Sequence, residues 1–176
     1  MGHPKKQRKK YETPKRPYDK RRIERERKIL QEYGLRRKKE IWRTESVLRN
    51  FRRRARELQA ERNEKMEKEL LGKLNKLGIR VGSVDDVLGI NLDHILSRRL
   101  QTIVYKKGVA NSPRHSRQLI VHGHVYIDDR KILWPGYIVP SEEEGKIKIS
   151  PKIRTDMVAE SAKQTKREKA GAIRKT

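Results

Sequence analysis

Positive charge dominates this sequence and limits how much of it can fold unaided. Its 176 residues include 47 Lys and Arg against 23 Asp and Glu, a formal net charge of +24 at pH 7. Such an excess destabilises a compact state by self-repulsion unless a polyanion neutralises it. Only 33% of the residues are hydrophobic and 40% are charged, which leaves too little apolar surface to order every segment. We therefore expect one small core, further segments that fold against a partner, and nucleic acid as that partner.

The composition also excludes several classes of protein. The stretches without charged residues after position 100, such as 132–141, are too short to cross a membrane, and no apolar stretch follows the N-terminus to act as a secretory signal. We therefore expect an intracellular, cytoplasmic protein. With no cysteine and five scattered histidines, the chain lacks the ligand sets of zinc sites. No metal, zinc or cofactor is expected.

Charge is distributed unevenly along the chain. Residues 1–60 carry a net charge of +15, residues 61–150 carry +4, and residues 151–176 carry +5. We divide the chain into a basic, mostly helical region at 1–90, a compact RNA-binding module at 91–150 and an extended basic tail at 151–176. Residues 1–18 are expected to be extended. They and residues 156–176 should be cut readily by proteases in the free protein and protected in a ribonucleoprotein particle.

The N-terminal region contains two helical patterns rich in arginine. Asp19 is a predicted N-cap for a helix that runs to Tyr33 and ends before Gly34. A second helix is predicted to begin at Thr44, where an apolar stripe starts at helical spacing. The stripe consists of Val47, Leu48, Phe51, Ala55 and Leu58.

Two more helices are predicted before the module. Residues 61–77 continue or restart a helix that should stop at Gly78. The segment 83–86 has the Ser-x-x-acid pattern of a capping box and opens a short helix that ends at Gly89.

The module itself begins with a predicted helical pair. Asn91 is the expected cap of the first helix, whose apolar residues from 92 to 104 share one face. Ser112 and Pro113 signal the start of the second, which should close at Gly123. The pattern predicts two helices of ten to a dozen residues joined by a short loop.

A small antiparallel sheet is predicted after the helical pair. Val125 and Ile127 alternate with polar residues, Asp128-Asp129 forms a turn, Ile132-Leu133 forms a short strand, and residues 146–149 alternate again. The predicted fold class is therefore α+β.

The module offers one set of candidate RNA-binding residues, which we call the module rim. Proteins recognise double-stranded RNA mainly through phosphates and 2′-hydroxyls, because its major groove is too narrow for side chains. The N-terminus of the second helix adds backbone N–H donors for phosphate. The module rim consists of Lys106, Lys107, Ser112, Arg114, His115, Arg117, Gln118, His122 and His124.

A second candidate set lies in the N-terminal region. A cluster of Lys and Arg is usually a solvated surface, but arginine dominates a long helix here and the whole chain is strongly basic, which favours RNA contact. The candidates are Lys5, Lys6, Arg8, Lys9, Lys10, Arg36, Arg37, Lys38, Lys39, Arg49, Arg52, Arg53, Arg54 and Arg56.

Other polar and aromatic residues are given structural roles. His94 is interpreted as a packing or capping residue, and Asp93 as a favourable charge at a helix N-terminus. Trp42 and Trp134 have the chemistry to stack on unpaired bases, but packing in a core or turn is the preferred interpretation of Trp134.

Several stretches together resemble the universal small-subunit ribosomal protein S-four family. They are Leu92-Asp93 with Leu96, the segment 112–120 (Ser-Pro-Arg-His-Ser-Arg-Gln-Leu-Ile), and the corner 122–125 (His-Gly-His-Val). Segments 98–108 and 139–145, the Met-Gly-x-Pro start and residues 33–42 resemble its archaeal/eukaryotic-type branch. The resemblance covers residues 1 to about 155. Two departures are Asn91, where the family usually has Arg, and Asp128-Asp129 in place of an Asn-Gly turn.

The resemblance implies a structural component of the small ribosomal subunit. Its expected partners are small-subunit rRNA, bound at a helical junction early in assembly, neighbouring ribosomal proteins, and mRNA where it enters the subunit. The alternative is a free RNA chaperone or ribosome-recycling factor, which would share the module. An enzyme is not expected, because the residues before the module contain no phosphate-binding loop or nucleophile–His–acid set. A DNA-packaging role is disfavoured because duplex DNA lacks 2′-hydroxyls.

Overall fold

The computed structural model describes residues 9–61 and 63–150. Its elements confirm the α+β class. The helices are α1 (Lys20–Glu32), α2 (Lys38–Ala60), α3 (Glu64–Lys76), α4 (Val84–Gly89), α5 (Leu92–Ser97), α6 (Leu100–Lys106) and α7 (Pro113–Val121). The strands are β1 (Val125–Ile127), β2 (Arg130–Lys131) and β3 (Ile147–Ile149), with a 3-10 helix at Ser141–Lys146 before β3.

The ends of most helices follow the predicted caps. The Asp19 carboxylate accepts hydrogen bonds from the N–H groups of Arg21 and Arg22 at the start of α1. Ser83 and Asp86 form the predicted capping box of α4. The predicted restart within residues 61–77 is confirmed, because α3 begins after the N-cap Asn63.

The predicted start of α2 at Thr44 is wrong. The helix begins at Lys38, and Thr44 lies buried inside it. The Thr44 hydroxyl donates a 2.9 Å hydrogen bond to the carbonyl of Glu40, one turn earlier. A threonine whose hydroxyl donates to the carbonyl four residues earlier lies within a helix and does not mark its start, although threonine is also a common N-cap residue.

The prediction of one long helix at the start of the module is also wrong. Residues 92–106 form two short helices, α5 and α6, separated at Arg98 and Arg99. These two residues pair with an extended segment instead: the Val139 N–H donates to the Arg98 carbonyl at 2.9 Å, and Arg99 forms an antiparallel bridge with Ile138. Pairing with a distant segment therefore interrupts a continuous helical pattern.

The second module helix and the hairpin form largely as predicted. The Ser112 side chain accepts from the N–H of His115, and Pro113 occupies the first turn of α7. Strand β1 is central in a sheet of order β2-β1-β3, and both neighbours are antiparallel to it. The second strand is Arg130–Lys131 rather than Ile132-Leu133, because the tight turn at 128–129 places Arg130 directly opposite Ile127.

Three clusters of buried side chains form the core. The first joins α2, α3, α4 and α5, and reaches into the module through Ile95. The second lies between α6, α7 and the sheet. The third is small and joins Leu35, which follows α1, and Ile41 of α2 to Leu96 of α5. Core contacts thus connect the N-terminal helices to the module.

Across residues 9–61 and 63–150, no helix combines enough length with enough apolar character to traverse a membrane.

Candidate nucleic-acid interface

The solvent side of α2 carries a dense set of cationic groups, which we call the arginine face. Ile41, Thr44, Leu48 and Ala55 recur at helical spacing and turn one side of α2 toward the core. Val47, Phe51 and Leu58 are partly buried beside that side, and most of the opposite side is exposed. The arginine face consists of the exposed residues Arg36, Arg37, Lys39, Arg43, Arg49, Arg53, Arg54 and Arg56.

Few of these cations are neutralised within the protein. Arg49 pairs with Glu12, and Arg53 lies 3.6 Å from Glu57, both in solvent-exposed pairs that stabilise the fold little. Within the described part of the chain, no carboxylate forms an ion pair with Arg36, Arg37, Arg43, Arg54 or Arg56. The arginine face therefore keeps most of its charge for an external anion.

Two predicted contact residues of this region face inward. The Arg52 guanidinium donates a 2.6 Å hydrogen bond to the carbonyl of Ile90. The Lys38 ammonium lies 3.2 Å from the buried carboxylate of Glu26, which also accepts a 2.9 Å hydrogen bond from the indole of Trp42. Both cations thus hold α2 against its neighbours.

Lys9 and Lys10 are exposed, and Lys5, Lys6 and Arg8 lie outside the described residues, as does the predicted tail at 151–176.

The module rim divides in a similar way. Its exposed members are Lys106, Lys107, Arg114, Gln118 and His122, and its partly buried members are Ser112, His115, Arg117 and His124. The Lys107 ammonium donates to the Glu144 carbonyl, whereas Arg114 projects from the first turn of α7. Since Pro113 has no N–H, only Ser112 and Arg114 can supply the expected backbone donors there.

Arg117, a predicted RNA contact of the module rim, is bound within the protein instead. Its guanidinium donates to both carboxylate oxygens of Glu40, at 3.1 and 3.0 Å, and 24% of its side chain is exposed. The buried Arg99 donates to the same carboxylate at 2.6 Å. Burial alone would raise the pKa of Glu40, but the hydrogen bonds and charges of Arg117 and Arg99 outweigh it and lower that pKa. We call this trio the Glu40 node.

Gln101 strengthens the connection made by the Glu40 node. Its fully buried amide donates to the carbonyls of Tyr33, Gly34 and Pro113 at 3.1, 3.0 and 2.9 Å. The buried Ser116 hydroxyl donates to the Gln101 carbonyl at 2.7 Å. One side chain thereby joins the end of α1 to the starts of α6 and α7. The arginine face and the module rim are held in a fixed relative orientation.

The histidines have distinct environments. His94 confirms its capping interpretation, because its Nδ1 accepts a 3.0 Å hydrogen bond from the N–H of Asn91. His122 and His124 stack loosely across Gly123, with ring centroids 6.3 Å apart. No group of three or more His, Asp or Glu within residues 9–61 and 63–150 is placed to hold a metal ion.

Sequence reasoning missed the Glu40 node and Gln101. Glu40 lies 59 residues from Arg99 and 77 from Arg117, so no local spacing indicates the contact. The one available signal was a single acidic residue within the basic run 36–43. Of the two interpretations preferred for Trp134, packing in the core is wrong because the residue is 68% exposed, whereas its backbone does form part of a turn.

Comparison with known proteins places this arrangement in a family. A family model described as S4 domain matches residues 98–145. A protein of Hyperthermus butylicus named small ribosomal subunit protein uS4 is 51% identical over 156 residues, covering 86% of this chain and 89% of that protein. A protein of the same name from Methanococcus aeolicus is 46% identical over 167 residues, covering 92% and 93%. The chain belongs to the small ribosomal subunit protein uS4 family.

Proposed function

We propose that this protein is a structural component of the small ribosomal subunit that binds small-subunit rRNA directly and stabilises a helical junction during assembly. The observation that carries the proposal is the hydrogen-bonded connection between two cationic surfaces through Glu40 and Gln101. Two RNA helices that contact the arginine face and the module rim would be fixed at one angle. A junction needs such a constraint, because its helices otherwise reorient freely.

The electrostatics favour RNA as the ligand of both surfaces. The described residues include 35 basic and 20 acidic side chains, and the inward-facing cations Lys38, Arg52 and Arg117 already have internal partners. The remaining arginines can donate paired hydrogen bonds to phosphate oxygens. Binding should release counterions, so affinity should fall steeply with salt concentration.

The candidate residues have two different roles in this proposal. The exposed residues of the arginine face and the module rim are proposed to contact RNA. Arg52, Lys38 and Arg117 are instead proposed to position those surfaces, because their charged groups already have internal partners. We retain the division into an N-terminal region (1–90), a module (91–150) and a basic tail (151–176) as part of the proposal.

The proposal includes two further partners implied by the family resemblance. Neighbouring small-subunit proteins would contact surfaces away from the arginine face, and mRNA would pass near the protein where it enters the subunit. A photoreactive nucleotide in mRNA, positioned at the entrance of programmed subunits, should crosslink to this protein. Crosslinks only to other proteins would contradict the mRNA contact while leaving rRNA binding intact.

A charge-matched pair of variants tests the rRNA contact. Arg53→Ala with Arg54→Ala removes two exposed cations from the arginine face, whereas Lys65→Ala with Lys68→Ala removes two exposed cations from α3. The arginine variant should reduce the slope of log affinity for rRNA against log salt by about 0.7–0.9 for each phosphate that the protein no longer neutralises. The lysine variant should leave that slope nearly unchanged. Equal reductions would show that net charge alone, and not the arginine face, governs binding.

Sedimentation distinguishes a ribosomal component from a free RNA-binding factor. In cell lysate, the protein should migrate with the small subunit through a sucrose gradient and remain there after a high-salt wash. A slowly sedimenting pool, or release by salt, would favour the chaperone or recycling function.

A further inference from the structure

A large aromatic side chain is exposed on a rigid part of the module. Trp134 is 68% exposed, and the adjacent Leu133 is 46% exposed. The backbone that carries them is well fixed: the Tyr137 N–H donates to the Trp134 carbonyl at 3.1 Å and closes a turn. An exposed tryptophan does not contribute the stabilisation that its burial would give. A ligand that covers the ring would bury a large apolar area.

The turn is fastened to the N-terminus of α6. The N–H of Leu100 donates to the Tyr137 carbonyl at 2.7 Å, and the N–H of Gln101 donates to the Pro135 carbonyl at 3.4 Å. These amides have no partner within α6, so the turn supplies the acceptors that the helix lacks. Because its backbone is already ordered, the Trp134 turn would lose little conformational entropy when a ligand binds.

Cationic groups lie at both ends of the segment that carries Trp134. At one end, the side chains of Lys131 and Leu133 lie against Gly123, beside the paired histidines. At the other end, Gly136 lies against the guanidinium of Arg99, which is buried and paired with Glu40, and the exposed Arg43 of the arginine face lies close enough to Arg99 to repel it. The arginine face continues from Glu40 along α2. An anionic ligand therefore fits this surface better than an apolar protein segment does.

We propose that Trp134 stacks on an unpaired nucleobase of the bound RNA. An indole ring can stack on any base, and basic residues on either side can neutralise the phosphates that flank that base. This inference rests on the proposed function, since it assigns Trp134 to the same RNA contact. It adds a different chemistry: the arginine face and the module rim bind phosphate, whereas Trp134 selects RNA in which a base is unpaired beside a duplex.

The test compares a blunt RNA duplex with the same duplex carrying a single-stranded extension, both titrated with the full-length protein. Trp134→Ala should weaken binding of the extended RNA about tenfold, because it removes the stacking of the indole on one base. It should leave binding of the blunt duplex unchanged. Trp134→Phe should retain most of the affinity for the extended RNA. Met66→Ala, which truncates an exposed apolar residue on α3, is the matched control and should change neither affinity.

Tryptophan fluorescence provides an independent measurement. The wild-type emission should be quenched by the extended RNA and much less by the blunt duplex. Trp42 is held by its hydrogen bond to the buried Glu26, so its emission is expected to stay constant. Trp134→Phe should abolish the difference in quenching between the two RNAs.

Other outcomes would overturn the inference in distinguishable ways. Equal loss of affinity for both RNAs with Trp134→Ala would make Trp134 a general surface contact, not a stacking platform. Unchanged affinity for both RNAs, together with failure of the variant to enter reconstituted subunits, would assign the ring to a protein neighbour. If wild-type protein bound neither RNA, the proposed function itself would fail.

Discussion

Arg114 and Arg117 lie three residues apart on α7, yet their side chains have different environments. Arg114 is exposed, whereas Arg117 donates two hydrogen bonds to Glu40. We expect Arg117→Ala to reduce the free energy of unfolding by about 2 kcal/mol, because it removes hydrogen bonds to a half-buried carboxylate. Arg114→Ala should change stability by less than about 0.5 kcal/mol and should weaken rRNA binding instead. Urea unfolding and RNA titration of the two single variants would separate these effects.

A single result would reverse that assignment. If Arg117→Ala left the urea midpoint unchanged and weakened RNA binding as much as Arg114→Ala, the guanidinium of Arg117 would have to leave Glu40 when RNA binds.

The Glu40 node also predicts a dependence of stability on pH. The pKa of Glu40 is lower in the folded protein than its ordinary value of 4.5, because Arg117 and Arg99 outweigh the effect of burial. A group with a lowered folded pKa stabilises the protein fully above its unfolded pKa. That stabilisation should disappear as pH falls through and below about 4.5. The Glu40→Gln variant should be less stable than wild type at neutral pH, and urea unfolding should show the difference shrinking as the solution is acidified.

The contacts of a side chain were predictable from the sequence only where its partners are close in the chain. The caps at Asp19, Ser83 and Ser112 each involve residues two or three positions away, and they form as predicted. Arg117 looks like any other basic residue of a short helix, because the acid that binds it is 77 residues away. Long-range pairing of this kind leaves no periodic signal in the sequence.

At the level of elements, the contact between α1 and α7 depends on one glycine. Gly34 has a φ of +60°, and an added Cβ would lie 2.8 Å from the Cβ of Pro113 and 2.9 Å from its carbonyl carbon. Gly34→Ala should therefore destabilise the protein by about 2–3 kcal/mol, through strain in the left-handed region and displacement of the α7 backbone. Gly72→Ala is the matched control. That residue lies in α3 with open space around it, so the change should stabilise the protein by up to about 1 kcal/mol.

Thermal unfolding of the two alanine variants would measure both effects. A stability loss at Gly34 no larger than that of an ordinary surface substitution would show that α1 and α7 can separate without cost, which would contradict a rigid connection between the two RNA-binding surfaces.

The order of the elements was largely predictable, and the errors have physical causes. Residues 92–104 have a continuous helical pattern, but Arg98 and Arg99 pair with residues 138 and 139 and so divide the helix. Thr44 has the chemistry of a cap but bonds backward inside α2. A tertiary hydrogen bond in the first case, and a local one in the second, outweighed the intrinsic preference of the sequence.

At the scale of the whole molecule, net charge should make stability and RNA binding respond oppositely to salt. Self-repulsion of a chain with a net charge of +24 is screened as ionic strength rises. We expect the Tm of the free protein to rise by about 3–5 °C between low and moderate salt, equivalent to roughly 1 kcal/mol. Affinity for rRNA should fall over the same range. A Tm that falls with salt would show that internal ion pairs, such as those of Glu40, outweigh the repulsion.

The long connection from Glu40 to Arg117 has a consequence for biosynthesis. Ribosomes extend a chain by about 5–20 residues per second, so the 77 residues between these partners take roughly 4–15 s to appear. Until Arg99 appears, 59 residues after Glu40, the nascent N-terminal half lacks both arginines that bind Glu40 and also the amide of Gln101, and Arg117 is the last of these partners to be made. Its helices cannot yet adopt their final orientation. The angle between the arginine face and the module rim is therefore set late in synthesis, and rRNA that meets the nascent chain earlier encounters an arginine-rich segment whose geometry is not yet fixed.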